Sequence, residues 1–374
     1  MFLTTSKIQD KYYCLKRQKT ILVAPLNWGL GHATRCMPII DALLEQGAKV
    51  ILASDGAALQ LLQKEYPNLD YYSLPSYDIQ YKGSNMFLNI APQIPKILRA
   101  IQLERKMLGS IIEKEQIDVV LSDNRYGMHH SEVYSVFLTH QLHIPIPNKI
   151  VQKTVHRLNQ QFMAKFDACW VPDWASANNL AGKLAHPATS PKVHYIGGLS
   201  RFGYQPATNL KYDVIAVLSG PEPQRTYLEQ KIIAQAKSIT NKNWLIVAGQ
   251  TAQQEEQQIA PNIQRISYLT AQLLQQAIQE SAVVLARSGY STLMDLSALH
   301  CQKAILVPTP GQTEQEYLAT HFEQKYGYLV QTQKDLNLAV ALQQLETEKA
   351  AVFPVSEQKK GALLRIAIQE LLAK

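Results

Sequence analysis

Cysteine is scarce in this sequence of 374 residues. The four cysteines, Cys14, Cys36, Cys169 and Cys301, are far apart and form no Cys-x-x-Cys pair. The sequence therefore indicates neither a zinc site nor a disulfide framework. We expect no cofactor, no bound metal and a reducing, cytoplasmic environment.

Long apolar runs are missing as well. No stretch approaches the roughly 18 apolar residues of a membrane-spanning helix. Residues 1–19 lack the apolar core of a signal peptide and carry several charges. We expect a cytoplasmic protein whose contact with a membrane, if it has one, is peripheral.

Dense basic runs are also absent, although the formal charge is +7 and the pI is near 9.0. Such a balance is compatible with nucleic acid, an anionic membrane or a phosphorylated substrate as partner. No run of five or more basic residues occurs, and the densest patch is LKRQK at 15–19. We interpret that patch as a solvated face and expect no nucleic-acid partner.

Short apolar runs recur along the first half of the chain. They lie at 21–24, 49–56, 117–123 and 135–145, and helical patterns at 37–47 and 93–115 separate some of them. Fully apolar runs of this length are typical of strands buried on both faces of a parallel sheet. The first half therefore predicts an α/β domain.

A stretch rich in Pro, Gly, Ser and Thr at 182–209 interrupts this rhythm, which then resumes with strand-like runs such as YDVIAVLSG and SAVVLARSG. We predict two Rossmann-like, doubly wound α/β domains that face a cleft. Their expected bounds are 19–200 and 201–355, and an amphipathic helix at 356–374 is expected to join the first domain.

The first chemically suggestive loop is NWGLGHATR at 27–35. Its glycines let the main chain approach a ligand, and His32 can take a proton near neutral pH. A dinucleotide-binding loop is an alternative, but Thr34 occupies the position of the third glycine of that motif. A histidine that merely caps the helix is a further alternative.

The second loop is ARSGYSTLMDL at 286–296, where a buried strand runs through a Ser-Gly turn into a helix that starts near Tyr290. Free N–H groups at a helix N-terminus suit a diphosphate. Asp295, one turn into the helix, is placed to accept hydrogen bonds from ribose hydroxyls. Ser291 and Asp295 are also ordinary residues for a helix start, so capping is the alternative.

The third loop is VPTPGQTEQEYLA at 307–319, again a strand followed by a Pro-Gly loop and a helix. Gln315 and Glu316 lie at the start of that helix. Polar pairs at this position are also often merely solvated.

In this order, the three loops resemble the motifs of GT-B glycosyltransferases of family 28, the family of the peptidoglycan N-acetylglucosaminyltransferase. That family combines a Gly-rich loop ending in His with R-S-G-x-x-T-x-x-E and P-x(6)-Q-Q. THQLHIPIPNK at 139–149 is similar to its H-E-Q-N segment on the acceptor side. The resemblance extends from about residue 20 to 330.

The resemblance implies a transfer of a hexose or N-acetylhexosamine from a UDP-sugar to a hydroxyl of a glycan or lipid-linked acceptor. His32 is the implied base. The implied donor-binding residues are Ser219, Gly220, Tyr268, Leu269, Arg287, Ser288, Gly289, Ser291, Thr292, Asp295, Gln315 and Glu316. The implied acceptor-side residues are Gly29, Gly31, Asn124, His140 and Gln141.

Some positions depart from the family pattern. Asp295 replaces a glutamate, Glu316 replaces the second glutamine, and LSGPEPQR at 218–225 replaces a G-G-S-x-G loop. These differences bear on the identity of the donor sugar. No Asp-x-Asp pair occurs in the sequence, and the resemblance implies a metal-independent, inverting transfer.

Two other classes of protein stay open at this point. A UDP-sugar epimerase shares the two-domain fold and would place acidic groups beside the sugar. A non-catalytic nucleotide-sugar-binding protein would bind UDP without using His32. The apolar segment NMFLNIAPQIPKIL at 85–98 is a candidate face for a lipid-linked acceptor, with a core or lid segment as the alternative.

Overall fold

The computed structural model describes residues 17–78, 91–146, 148–205, 209–251, 255–347 and 361–374. These residues form two parallel-rich sheets with alternating helices, one sheet in each half of the chain. The predicted α/β fold class is thus confirmed. The numerical domain bounds stay a prediction.

The first sheet has the strand order β3-β2-β1-β4-β5-β6-β7 among the described residues, and each neighbouring pair is parallel. Its strands and helices are β1 (Thr20–Pro25), α1 (Gly31–Glu45), β2 (Lys49–Ser54), α2 (Gly56–Glu65), β3 (Tyr71–Ser73), α3 (Ile94–Glu115), β4 (Val119–Asp123), β5 (Tyr134–Leu138), α4 (Lys149–Met163), β6 (Ala168–Val171) and β7 (Val193–Tyr195).

The second sheet has the order β10-β11-β9-β8-β12-β13-β14 in the part that the structure describes, and β10 alone among these runs antiparallel to its neighbour. Its elements are β8 (Tyr212–Val217), α5 (Gln224–Ala236), β9 (Trp244–Val247), β10 (Glu256–Ala260), β11 (Ile263–Ile266), α6 (Ala271–Gln279), β12 (Ser281–Ala286), α7 (Tyr290–Ala298), β13 (Ala304–Leu306), α8 (Thr313–Tyr326), β14 (Leu329–Val330) and α9 (Leu338–Thr347).

Both faces of each sheet are covered. In β1, Ile21 and Val23 pack into one cluster of buried side chains, while Leu22 and Ala24 pack into another on the opposite face. The strand order reverses between β1 and β4 in the first sheet and between β8 and β12 in the second. Open α/β sheets bind ligands at such reversals, beyond the carboxyl ends of the strands.

The final helix, α10 (Ala362–Leu372), returns to the first half of the chain. Its Leu364, Ile368 and Leu371 are buried in the same cluster as Ile39 and Leu43 of α1. The closing amphipathic pattern therefore covers the first sheet.

Two predicted elements differ from the structure at the carboxyl edge of the first sheet. The helix expected from residue 37 begins six residues earlier, so that α1 includes His32 in its first turn and passes through Pro38. The strand expected at 135–145 ends at Leu138, which leaves His140 and Gln141 in the following loop. Both differences move polar side chains to the edge where ligands bind.

A buried arginine ties the loops of that edge together. The Arg125 guanidinium, which is fully buried, donates to Pro25 O at 2.9 Å, to the Asp55 carboxylate after β2, and to Glu104 Oε1 of α3 at 2.6 Å. Tyr77 donates to the other oxygen of Glu104 at 2.9 Å. The ends of β1 and β2 are therefore held against α3 by paired charges.

Candidate functional site

The carboxyl edges of the two sheets meet across a set of short polar contacts. Ser291 Oγ at the start of α7 donates to Gly31 O at the start of α1, at 2.8 Å. Tyr290 donates through its hydroxyl to Pro172 O at 2.7 Å, and Thr313 donates to Pro145 O at 3.0 Å. The loops predicted to bind donor and acceptor therefore face one another.

His32 lies beside a buried carboxylate at this junction. Its Nδ1 is 3.1 Å from Oδ1 of Asp123, the last residue of β4. Arg35, one turn further along α1, donates through Nε to Asp123 Oδ2 at 2.6 Å and through a terminal nitrogen to Oδ1. Nε2 is the second nitrogen of the His32 ring.

The surroundings keep the His32 ring uncharged near neutral pH. Burial lowers the pKa of His32; the Asp123 carboxylate opposes this, and the Arg35 charge reinforces it, so that the pKa lies below the ordinary value. Burial would raise the pKa of Asp123, but the charges of Arg35 and His32 hold it well below its usual range. A neutral imidazole beside an ionised carboxylate is the arrangement of a general base.

The contacts of Arg35 continue into the second half of the chain. Its NH1 lies 2.6 Å from His140 Nδ1, and His140 Nε2 lies 2.7 Å from Glu314 Oε1 in the first turn of α8. Gln141 also donates to Glu314. The His140 ring stacks on Tyr290 with ring centroids 4.2 Å apart and planes 5° from parallel.

The predicted phosphate loops of the second half lie close together. Gly220 has a φ of +104°, and a Cβ there would lie 3.5 Å from Thr309 Oγ1. Gly289 precedes the first residue of α7, and no side chain caps that helix within the described residues. Ser219 lies next to Gly220 in its loop, and Thr292 lies in the first turn of α7, close to Gly289.

Several predicted donor residues form hydrogen bonds within these loops and are not directed toward the cleft. Arg287 is fully buried and donates to Val307 O, Pro308 O, Gln224 O and the Gln333 side chain. Burial lowers the pKa of Arg287 to about 10. Ser288 donates to Gln315 O at 2.8 Å.

In the third loop, too, the predicted donor residues form hydrogen bonds with other residues of the same loop. The Gln315 side chain accepts from Thr309 N at 2.9 Å and donates to Gln312, while Glu316 accepts from Gly311 N at 3.1 Å. Glu314, which the motif comparison passed over, contacts the first half of the chain, as does its neighbour Thr313.

Asp295 lies at the entry of the connection between the two sheets. Its carboxylate accepts from Ser200 Oγ at 2.6 Å and lies 3.7 Å from Arg201 Nε. Tyr268 also faces the first half of the chain and donates to Glu65 Oε1 of α2 at 2.8 Å. Leu269, next in the chain, packs against a cluster of buried side chains that come from both halves of the chain.

On the acceptor side, the structure places the remaining predicted residues around His32. Gly29 has a φ of +78°, and a Cβ on Gly31 would lie 3.1 Å from Ser291 Oγ. Asn124 follows Asp123 directly and has a φ of +57°. These backbones form the edge beside the His32 ring.

The sequence interpretation missed Arg35, Asp123, Glu314 and Thr309. Asp123 ends a buried strand and Arg35 lies one helical turn after His32. These positions in the sequence could have identified both residues as candidates for the site. Thr309 is buried, and its hydroxyl has no hydrogen-bond partner in the part of the chain that the structure describes. Within the same residues no group of three or more His, Cys, Asp or Glu is placed to hold a metal ion, and no helix is long and apolar enough to cross a membrane.

Residues 214–371 match the Glycosyltransferase family 28 C-terminal domain. An uncharacterized glycosyltransferase of Methanosarcina acetivorans is 25% identical over 320 residues, which are 81% of this chain and 83% of that protein. The protein is a GT-B glycosyltransferase.

Solved structures agree with this fold. MurG of Acinetobacter baumannii has a TM-score of 0.55 at 15% identity, covering 94% of this chain and 99% of that one. The glycosyltransferase VinC, in complex with DTDP, has a TM-score of 0.50 at 11% identity, covering 95% and 94%. For this GT-B glycosyltransferase, the resemblance stated from the motifs is confirmed for fold and enzyme class, and the site residues stay predictions.

Asp123→Asn tests the electrostatics around His32. Because the Asp123 charge raises the pKa of His32 against burial, we expect this substitution to lower that pKa further. NMR titration of the His32 ring protons measures it, with assignment by comparison with His32→Gln. Asp118→Asn is the control, since Asp118 lies before β4 at the other end of the strand and accepts from Thr20 N. An unchanged or raised His32 pKa in Asp123→Asn would contradict the pairing.

Proposed function

We propose that this glycosyltransferase moves a hexose or N-acetylhexosamine from a UDP-sugar to a hydroxyl of a glycan or lipid-linked acceptor, without a metal and with inversion. The observation that carries the proposal is the contact of His32 Nδ1 with Asp123 at the junction of the sheets, where burial lowers the pKa of His32. Nε2 is then available to accept the proton of the acceptor hydroxyl.

In this reaction the acceptor oxygen attacks the anomeric carbon as its proton passes to His32 Nε2. The bond between that carbon and the diphosphate oxygen breaks, and UDP leaves with the electron pair. Attack from the face opposite the leaving group inverts the anomeric centre. Asp123 orients the ring and stabilises the imidazolium that forms.

The departing diphosphate needs neutralisation in place of a metal. The start of α7, with Gly289, Ser291 and Thr292, has no side-chain cap among the described residues, so it offers free N–H groups and a partial positive charge of about +0.5. The Ser219–Gly220 loop follows β8, and beside it lies the Thr309 hydroxyl, which has no hydrogen-bond partner in the described part of the chain. Arg287 stabilises these loops because it donates hydrogen bonds to their main-chain carbonyls.

His32→Ala tests the base. A positioned general base contributes about 10² to 10⁴ in rate, so we expect turnover to fall by that factor. UDP affinity, which we assign to the opposite half, should change by no more than about twofold, or roughly 0.4 kcal/mol. The measurements are UDP release from the active UDP-sugar and UDP titration of the same preparation.

The control for this substitution is His194→Ala, an exposed position in β7. Full turnover in His32→Ala would remove the catalytic role and favour a binding protein. Conversion of the UDP-sugar without free UDP as product would instead identify an epimerase, for which Asp123 and Glu314 are the acidic groups nearest to His32.

The nucleotide is proposed to be UDP, with its base near Tyr268 and its ribose on Asp295. A thermal-shift comparison of UDP, GDP and TDP tests the base, since a ligand at 100 times its dissociation constant stabilises the protein by roughly 2.7 kcal/mol. TDP belongs in the panel because the neighbour VinC was solved with DTDP.

For the ribose, Asp295→Ala should weaken UDP binding by about 1.5–3 kcal/mol, the usual worth of hydrogen bonds to a charged group. Ser200→Ala is the matched control, because it removes the partner of Asp295 and keeps the carboxylate. If both variants lose stability alike and bind UDP normally, Asp295 is an anchor of the connecting segment and not a ribose ligand.

A lipid-linked acceptor would place part of the first half on an anionic membrane surface. Residues 85–90 of the apolar segment proposed for this contact lie outside the described residues, and the rest runs into α3. We propose a second surface as well. Helix α4 carries Lys149, Lys153 and Arg157, has no acidic residue, and exposes 80% of Ile150 and 49% of Leu158.

Ile150→Glu tests this surface by co-sedimentation with vesicles of phosphatidylserine and phosphatidylcholine. We expect binding to fall by about 10- to 150-fold, since burial of an isoleucine side chain is worth roughly 1.5–3 kcal/mol. Val340→Glu on α9, at a position that is 46% exposed, is the control. Vesicle binding that depends on neither anionic lipid nor salt would contradict the proposed membrane contact.

A further inference from the structure

The end of helix α2 reaches from the first half of the chain to two loops of the second half. Glu65, the last residue of this helix, accepts from the Tyr268 hydroxyl at 2.8 Å and from Ala271 N at 3.3 Å. Lys64, beside it, donates to Thr251 O. Thr251 follows β9 and Tyr268 follows β11, and these two strands are neighbours in the second sheet. Two successive residues of one helix therefore bridge the carboxyl ends of two adjacent strands.

The first half of the chain holds Tyr268 by its ring as well as by its hydroxyl. The ring packs against the buried cluster that includes Ile39 and Leu43 of α1. The Lys64 ammonium lies 5.4 Å from the ring centroid, within the range of a cation–π contact. Burial and the hydrogen bond with Glu65 raise the pKa of Tyr268, so its hydroxyl stays a donor to the carboxylate at neutral pH.

The end of α2 is in turn fixed to α1. Tyr66, which follows Glu65, donates through its hydroxyl to Asp41 Oδ1 at 2.7 Å and to Met37 O at 3.1 Å. Helix α1 also carries His32 in its first turn. The end of α2 therefore moves with the half that carries the proposed base, and it leaves the loops after β9 and β11 when the two halves separate at this point.

The nucleoside of the proposed donor belongs to the same place. Open α/β sheets bind ligands beyond the carboxyl ends of their strands, and β9 and β11 lie on one side of the reversal in the second sheet. We propose that Lys64 and Glu65 form a gate over this nucleoside, so that nucleotide enters and leaves when the end of α2 lifts from Thr251 and Tyr268. The proposal rests on the nucleotide site near Tyr268 proposed above.

Such a gate controls the rates of nucleotide exchange more than the affinity. The gate contacts join protein groups to one another, so they form over a bound nucleotide as well. A gate that closes alike with nucleotide bound or released slows entry and exit by the same factor. Release of UDP after the transfer then waits for the opening of the gate, as product release does in many enzymes with closing loops.

Glu65→Ala tests the gate through the rates of UDP association and dissociation, measured by stopped-flow tryptophan fluorescence of the full chain. We expect both rate constants to rise about tenfold, which corresponds to roughly 1.4 kcal/mol, while UDP affinity stays within about twofold. Glu65→Gln should keep the native rates, because its amide oxygen can accept from the Tyr268 hydroxyl and from Ala271 N. Gln60→Ala, an exposed position on the same helix, is the control.

Two further variants assign the effect to the gate contacts. Lys64→Ala removes the contact with Thr251 O and should also raise both rates. Tyr268→Phe keeps the ring and removes the hydroxyl, so it should raise both rates alone and add nothing when combined with Glu65→Ala. Additive effects of these two substitutions would contradict the contact between Glu65 and Tyr268 as the gate.

The outcomes separate the gate from the identity of the donor. Native rates in Glu65→Ala would overturn the gate, as would a changed UDP affinity with an unchanged association rate, which would make Glu65 a ligand of the nucleotide. If the thermal-shift comparison selects GDP or TDP, the same rates are measured with that nucleotide. Failure of the native protein to bind any of the three would contradict the proposed donor site, and the gate with it.

Discussion

The buried carboxylate of Asp123 is the group on which the arrangement of the site depends. It has no exposed surface and accepts hydrogen bonds from Arg35 on both oxygens. An uncompensated charge at this depth would be costly, so the pair fixes the position of both side chains. Since Arg35 and His32 share the first turns of α1, the same contact sets the angle at which that helix leaves β1.

A second buried arginine secures the same edge of the sheet. Arg125 binds the carboxylates of Asp55 and Glu104 as well as a main-chain carbonyl of β1. Burial raises the pKa of Glu104, whereas the Arg125 charge and hydrogen bond lower it; burial is the larger effect. The edge thus consists of charged groups that hold one another, and the His32 ring can keep a defined orientation on it.

Much of this edge was predictable from sequence because strand ends and glycine turns leave local patterns. The apolar runs locate β1, β4, β8 and β12, and in parallel sheets their carboxyl ends must lie together. Side-chain direction within a helical turn was not predictable in the same way. Gln315 and Glu316 match the family motif, yet Glu314 crosses to His140. Nothing in the local sequence distinguishes these neighbours, because the choice depends on how the two sheets approach.

The approach of the two sheets also bears on the diphosphate site that we propose. The N-termini of α1 and α7 meet there, with Ser291 Oγ donating to Gly31 O at 2.8 Å, and each end carries unpaired N–H groups and positive dipole. A side chain on Gly31 would come within 3.1 Å of Ser291 Oγ, so the small residue permits the close contact. Two positive helix ends of this kind repel one another, and an anion beside them would offset that repulsion. On this argument, the diphosphate of the proposed donor would stabilise the contact between the halves in which Glu314 lies against His140.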